Sequence, residues 1–339
     1  MQKILINDVT LRDGNHAINH KMTIDQISAY SMAAEAAGIP IVEVGHGIGI
    51  GASSLQVGES AIDDETMIQT AKVKLLHSKL GIHVTPGFAT INKDLKKAID
   101  LGVDVVRIAA HCTEADITQR HINYVRSRGK EVFGVLMMSH MASKETLAEE
   151  GQKMESYGAE GVMIFDSAGA LLPCHISEKI QELVDTLNIP VGFHAHNNLG
   201  LAVANSIAAV EAGATIIDGS ARGFGAGAGN AQLEVLVAVL EKMGYSTGID
   251  LYKILDASDI AEKCLMKEIP SIRSLSIVNG LSGVVSTFLT PVQRISKEYQ
   301  IDPRDVFFEL GRRKVVAGQE DIIIEVASEL AAKKFKENI

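Results

Sequence analysis

Ile4-Leu5-Ile6-Asn7-Asp8-Val9-Thr10-Leu11-Arg12-Asp13-Gly14-Asn15-His16 is an apolar run that stops abruptly at Arg, Asp and His held on a glycine turn. Burying an isolated charge costs far more than a strand gains. The cluster therefore belongs at a mouth, facing a ligand, a metal or its own members. A second stretch ends the same way, where Ile189-Pro190-Val191-Gly192 runs into Phe193-His194-Ala195-His196-Asn197-Asn198. The two clusters read as halves of one metal site.

Outward from the first strand a unit recurs: a helical pattern, a Gly or Asn stop, then a short apolar strand. The stops fall at Gly38, Gly81, Gly102, Gly129, Gly158, Asn188 and Gly213. The strands expected after them are 41–46, 82–85, 103–109, 132–138, 161–165, 191–196 and 215–219, which with the opening strand makes eight. Glycine suits the left-handed residue that ends a helix. Strands apolar on both faces are what a parallel sheet covered by helices requires. Thr23-Ile24-Asp25-Gln26 has the capping-box form. Ser177 is placed to cap a helix whose Ile180, Leu183, Val184 and Leu187 share one face. Eight strands alternating with helices over about 250 residues predict a closed (β/α)8 barrel of the α/β class. An open doubly wound sheet lacks support, because no dinucleotide glycine fingerprint follows the first strand.

After Leu240 the pattern changes. Residues 291–299, 303–311 and 319–335 read as helices, with Pro270 and Pro291 as breaks. The expected organisation is a barrel over 1–255 and a small helical C-terminal domain over 256–339, which covers the barrel mouth or docks a partner.

With 339 residues there is room for one large domain and a small one. A net charge of −10 argues against nucleic acid or an anionic membrane as the main partner. A small anionic substrate stays open if a metal or a few arginines reverse the sign locally. No apolar run reaches transmembrane length, and no signal peptide is apparent. Cys112, Cys174 and Cys264 are odd in number and widely spaced, which suggests reduced thiols in a cytoplasmic protein.

Barrel active sites lie at the C-terminal ends of the strands. His16, His46, His83, His111, His140, His194 and His196 fall on that rim, His20 and His175 just beyond it, and His77 and His121 read as surface helix residues. His194 and His196 are the sharpest pair. Residues i and i+2 of a strand point to the same side, about 6.5–7 Å apart at Cα. Two imidazoles so placed can take adjacent positions on one metal, the alternative being a hydrogen-bonded His pair. Asp13 supplies the anionic ligand from the first strand. Two His and one carboxylate leave positions open for substrate. Without a thiolate the set suits Mn²⁺, Mg²⁺, Co²⁺ or Fe²⁺ better than structural zinc. Arg12 brings a fixed positive charge beside the metal, or else pairs with Glu43 or Asp166. His16, one turn on, is placed as acid or base. The glycine-rich run 223–230 reads as a tight loop that sets Asn230 near the rim.

These residues resemble a known superfamily. Asp8-Val9-Thr10-Leu11-Arg12-Asp13-Gly14, His194-Ala195-His196-Asn197 and the run from Gly225 to Asn230 are similar to the metal-dependent lyases and condensing enzymes. That group includes hydroxymethylglutaryl-CoA lyase, isopropylmalate synthase and the pyruvate carboxyltransferases. Four further stretches resemble the 4-hydroxy-2-oxovalerate aldolase family specifically: Ala110-His111-Cys112-Thr113-Glu114-Ala115-Asp116, Leu136-Met137-Met138-Ser139-His140-Met141, Met154-Glu155-Ser156-Tyr157-Gly158-Ala159 and Gly318-Gln319-Glu320-Asp321. The resemblance implies cleavage of a 4-hydroxy-2-oxo acid to pyruvate and an aldehyde on a divalent metal, Mn²⁺ foremost, with Mg²⁺ or Co²⁺ as alternatives. It implies that Asp13, His194 and His196 hold that metal, and that His16 takes the proton of the C4 hydroxyl. Arg12 and the metal then offset the charge of a pyruvate enolate, and Ser167 contacts the pyruvate carboxylate. It further implies that the helical tail docks an acylating aldehyde dehydrogenase, to which the aldehyde passes through an internal tunnel.

The chain departs from that family at a few positions. Val285 stands where the family has Tyr, Ala317-Gly318 where it has Gly-Gly, and His83 and Thr85 where it typically has Leu. Strand alternation puts His83 and Thr85 on one face. Polar groups built to bond a hydroxyl are left unpaired by an apolar substrate. A polar or hydroxylated aldehyde is therefore expected over acetaldehyde or propanal, unless the two side chains bond each other. Other readings fit less well. A carboxyltransferase needs a lysine at the end of the sixth strand, where Phe165 precedes Asp166. A CoA-dependent lyase or Claisen synthase shares the metal triad but releases or consumes a thioester. A non-catalytic oxo-acid-binding subunit has no need of a base.

Overall fold

The structure, a computed structural model, describes residues 2–337. Eight parallel strands close into a barrel in chain order. They are β1 (Leu5–Leu11), β2 (Ile41–Val44), β3 (Lys79–Val84), β4 (Val105–His111), β5 (Glu131–Met137), β6 (Gly161–Asp166), β7 (Val191–Ala195) and β8 (Ile216–Gly219). β1 pairs with both β2 and β8, which completes the ring. Alternation along each strand feeds two cores. In β4, Val106 and Ile108 enter the core shared with the outer helices, while Val105 and Ala109 enter the barrel interior.

The interior is apolar at its floor, where Ile41, Val105, Phe133 and Ile216 meet. Above them lies a layer drawn from the even-numbered strands: Glu43, Arg107, Met163 and Asp218. Alternate strands supplying one layer is the rule in such barrels, but apolar side chains are the usual filling. β1 also carries an irregularity. Asp8 faces Val42 and Leu11 faces Val44, so three steps on β1 oppose two on β2. A bulge of this kind re-aims the side chains that follow it, here Arg12 and Asp13.

The helix Ile24–Ala37 begins as expected, with Thr23 Oγ1 accepting from the Gln26 N–H and Gln26 Oε1 accepting from the Thr23 N–H. Gly38, Gly102, Gly129, Gly158 and Gly213 adopt positive φ after their helices. Two of the expected stops do something else. Gly81 lies inside β3, where a Cβ would come within 3.1 Å of Ile41 Cγ2, so close strand packing and not capping calls for glycine. Asn188 follows the helix Pro173–Thr186 without a left-handed turn, its N–H donating to Glu155 Oε1. That helix opens on Pro173, which suits a first turn, so Ser177 sits inside it and caps nothing. His77 stands in the exposed loop before β3, not on a helix, and pairs with Glu35.

The sequence boundary at 255/256 falls within the helix Leu251–Leu265. Its buried Ile254, Ala257, Ala261 and Leu265 join the barrel's outer core. The tail proper has its own core, built from Val292, Val306, Phe307, Leu310 and Val326 on the helices Leu289–Tyr299, Pro303–Arg312 and Ile322–Glu337. Met138, just past β5, enters that core too. The tail sits on the mouth: His140 Nε2 lies 2.8 Å from Gly283 O, and Asn198 Nδ2 donates to Ser286 Oγ at 2.9 Å. Among the described residues no helix is long and apolar enough to cross a membrane.

Candidate metal centre at the barrel mouth

Asp13, His194 and His196 meet at the C-terminal end of the barrel, all buried, with one ligand atom from each within 4.8 Å of the others. Asp13 comes from the turn after β1, His194 from the end of β7 and His196 from the residue just past it. Gly14 allows that turn, since a Cβ there would lie 2.2 Å from the Phe224 ring. His194 Nδ1 is 2.9 Å from Asp218 Oδ2. An ionised carboxylate only accepts, so Nδ1 carries the proton and Nε2 presents its lone pair to the site. That lone pair faces His196 Nε2 at 3.4 Å, with Asp13 Oδ2 3.9 Å from the same nitrogen. His196 Nδ1 is buried without a partner.

Two imidazole nitrogens and a carboxylate converging in a buried cluster, one imidazole steadied by a second carboxylate, fit a divalent cation. Burial by itself would raise the Asp13 carboxyl, but Arg12 and the imidazoles of His196, His16 and His194 hold it well below the usual carboxylate range. Burial, helped by the neighbouring His194 and Arg12, holds His196 down to about 4, so it stays neutral and able to ligate. Asn230 is on the rim as expected. Its Nδ2 donates to Asp13 Oδ2 at 3.3 Å and its Oδ1 is buried without a partner.

Arg12 does pair with Glu43, as the plainer alternative held. Its Nε donates at 2.6 Å, and Nη1 donates to Gly47 O at 3.1 Å. Nη1 also lies 3.8 Å from Asp13, and Nη2 is buried with no partner. The guanidinium is thus fixed and keeps one nitrogen free. His16 packs edge-on to His20, with ring centroids 5.0 Å apart, and lies so close to the next loop that a Cβ at Gly47 would be 2.5 Å from its ring. It opens on a cavity of about 680 Å³ between the mouth and the tail, lined also by Ile48, Ala226, Ser286 and Thr287.

His83 points into the barrel beside the cluster of Asp13, His194 and His196, since Phe165 stacks on it at 6.0 Å and on His194 at 4.4 Å. Its Nδ1 is buried and unpartnered. Thr85 lies one residue beyond β3 and its hydroxyl donates to Ile48 O at 3.5 Å, so the two do not satisfy each other. Ser167 Oγ accepts from the Met138 N–H at 2.9 Å, which leaves its own proton to give. Val285 is buried in the tail, next to the cavity-lining Ser286.

Sequence reading offered Glu43 only as a partner of Arg12 and missed the rest of the support beneath the centre. Glu43, Arg107 and Asp218 form a buried ion-pair layer touching both Arg12 and His194. The available signal was a single charge in the middle of each apolar strand, which must be paired to be buried.

Fold and site define a barrel enzyme of the HMGL-like class, whose family pattern matches residues 3–261; a DmpG-like communication domain matches residues 270–332. The family and the cluster together imply a divalent metal. The 4-hydroxy-2-oxovalerate aldolase of Spirochaeta aurantia is 63% identical over 97% of this chain and 97% of its own. The enzyme of the same name from Pectobacterium atrosepticum is 60% identical over 98% and 97%. The chain belongs to the 4-hydroxy-2-oxovalerate aldolases of the HMGL-like family. In fold it is also similar to the carboxyl transferase domain of Rhizobium etli pyruvate carboxylase, with a TM-score of 0.81 at 15% identity, over 98% of this chain and 61% of that one.

Proposed function

We propose that the protein cleaves a 4-hydroxy-2-oxo acid to pyruvate and an aldehyde, with Asp13, His194 and His196 holding Mn²⁺. The observation that carries this reading is the convergence of those three ligands with a fixed guanidinium that keeps one nitrogen free. The oxygen and nitrogen donors suit Mn²⁺, with Mg²⁺ and Co²⁺ as alternatives. When bound, the cation acts as a Lewis acid on the 2-oxo group. His16, neutral because burial depresses it, takes the C4 hydroxyl proton. The C3–C4 bond then breaks, C4 leaves as the aldehyde carbonyl, and the electron pair passes to the pyruvate enolate. Arg12 sits where that negative charge develops. Ser167 donates a hydrogen bond to the substrate carboxylate, and return of the proton held by His16 to C3, directly or through water, releases pyruvate.

His83 and Thr85 face the aldehyde end in this reading. A buried ring nitrogen without a partner is costly to leave beside an apolar substrate, so the enzyme prefers a polar or hydroxylated aldehyde. We also propose that an acylating aldehyde dehydrogenase docks on the tail. The communication-domain match supports this, as do the exposed Ile277 and Leu281 on the helix Ser274–Ser282 and the exposed Phe308 on the helix Pro303–Arg312. Condensation of pyruvate with a panel of aldehydes by Mn²⁺-loaded protein tests the reading. Glycolaldehyde or glyceraldehyde is expected to give a higher kcat/KM than propanal. A clear preference for propanal removes the specificity claim, and no condensation with any aldehyde removes the function.

A further inference from the structure

We infer that Arg107 is a positioning residue that locks Arg12 and His194, the two halves of the active centre, into one fixed geometry. Its Nε and Nη2 donate to the two carboxylate oxygens of Glu43, at 2.5 and 2.6 Å. Its Nη1 donates to Asp218 Oδ2 at 2.6 Å. Glu43 in turn takes the Arg12 Nε–H, and Asp218 takes His194 Nδ1–H on the same oxygen that Arg107 holds. One guanidinium thereby closes an unbroken chain from the residue beside the substrate to a metal ligand.

The cost of this layer argues for a purpose. Arg107 and Asp218 are 1% exposed and Glu43 is fully buried. Ion pairs this deep are commonly no more stable than an apolar filling of the same volume, and the barrel floor just below is apolar. What an ion network supplies and a leucine does not is fixed direction. Arginine suits the task because its planar fork spans two carboxylates at once, whereas lysine is a point charge on a flexible stem. Phe165 adds a second brace, with its ring 5.2 Å from Arg107 Cζ and stacked on His194.

This inference rests on the reading that His194 ligates the metal and Arg12 serves the enolate. Arg107→Lys is the test, with Mn²⁺ affinity measured by calorimetry on metal-free protein and kcat and KM for pyruvate measured on loaded protein. Loss of a group that orients a ligand costs about 10- to 100-fold in metal affinity or activity. Arg107→Lys is expected to weaken Mn²⁺ binding by that factor and to lower kcat at saturating Mn²⁺ by about the same, with KM within about threefold. Wild-type Mn²⁺ affinity and kcat in a folded variant, even one with a lower Tm, overturn the inference, as does loss of only one of the two. Should Arg107→Lys not fold, Glu43→Gln with Arg107→Gln removes one charge of each sign and carries the same expectations. Wild-type protein that binds no Mn²⁺ or does not turn over would sink the underlying reading instead.

Discussion

Arg12 is held by Glu43 and the Gly47 carbonyl, while its Nη2 stays buried and unpartnered. A group fixed in this way stabilises charge that develops during reaction without moving to meet it. Arg12→Ala is therefore expected to lower kcat by roughly 10²–10³ with little change in KM. Steady-state kinetics decide it: a rise in KM alone would make Arg12 a substrate anchor. At this scale the convergence of the three side chains was legible: the period of a strand puts His194 and His196 on one side, and a charge on the turn after β1 has to face the mouth, which brings Asp13 to them. Asn230 was legible from the glycines around it. Arg107 was not. Its partners Glu43 and Asp218 lie 64 and 111 residues away, and a lone charge in a strand says that a partner exists without saying which.

Elements were legible where the backbone itself demands a residue type. Five of the glycines expected as stops end helices with positive φ, because other residues are strained there. Gly81 misled because the same residue also serves close packing, and sequence does not distinguish the two uses. The junction between the helix Ile24–Ala37 and β3 depends on Glu35, which accepts from the backbone N–H groups of His77 and Ser78. Its partial burial opposes ionisation, but the bonds to Ser78 and His77 outweigh it and hold the carboxyl down to about 2, against an ordinary 4.5. A carboxyl depressed in the folded state adds stability that is complete above its unfolded pKa and lost as pH falls toward the folded one. The stability gap between wild type and Glu35→Gln should thus be constant from about pH 7 to 5.5 and shrink steadily toward about pH 3. Urea unfolding across that range checks it, and a gap independent of pH would contradict it.

At the scale of the whole molecule, the closed ring sets Asp13 two strands from His194, and the count of eight made that closure readable from sequence. The passage into the tail was not readable, since the helix Leu251–Leu265 is amphipathic like its neighbours and only its packing shows that it serves the barrel. The tail's exposed Leu281 and Phe308 make a separate prediction. Leu281→Glu with Phe308→Glu should abolish co-elution with an acylating aldehyde dehydrogenase while leaving pyruvate release intact; undiminished co-elution would move the interface elsewhere.

The central claim is that one divalent cation, held by Asp13, His194 and His196, makes the barrel mouth a catalyst. Titration of Mn²⁺ into chelator-stripped protein, with binding and turnover followed together, addresses it most directly. The account predicts one site per chain, with turnover rising from background in step with occupancy, and loss of both in His194→Ala and Asp13→Ala. Full turnover in metal-free protein, or unchanged Mn²⁺ binding in those two variants, would contradict it.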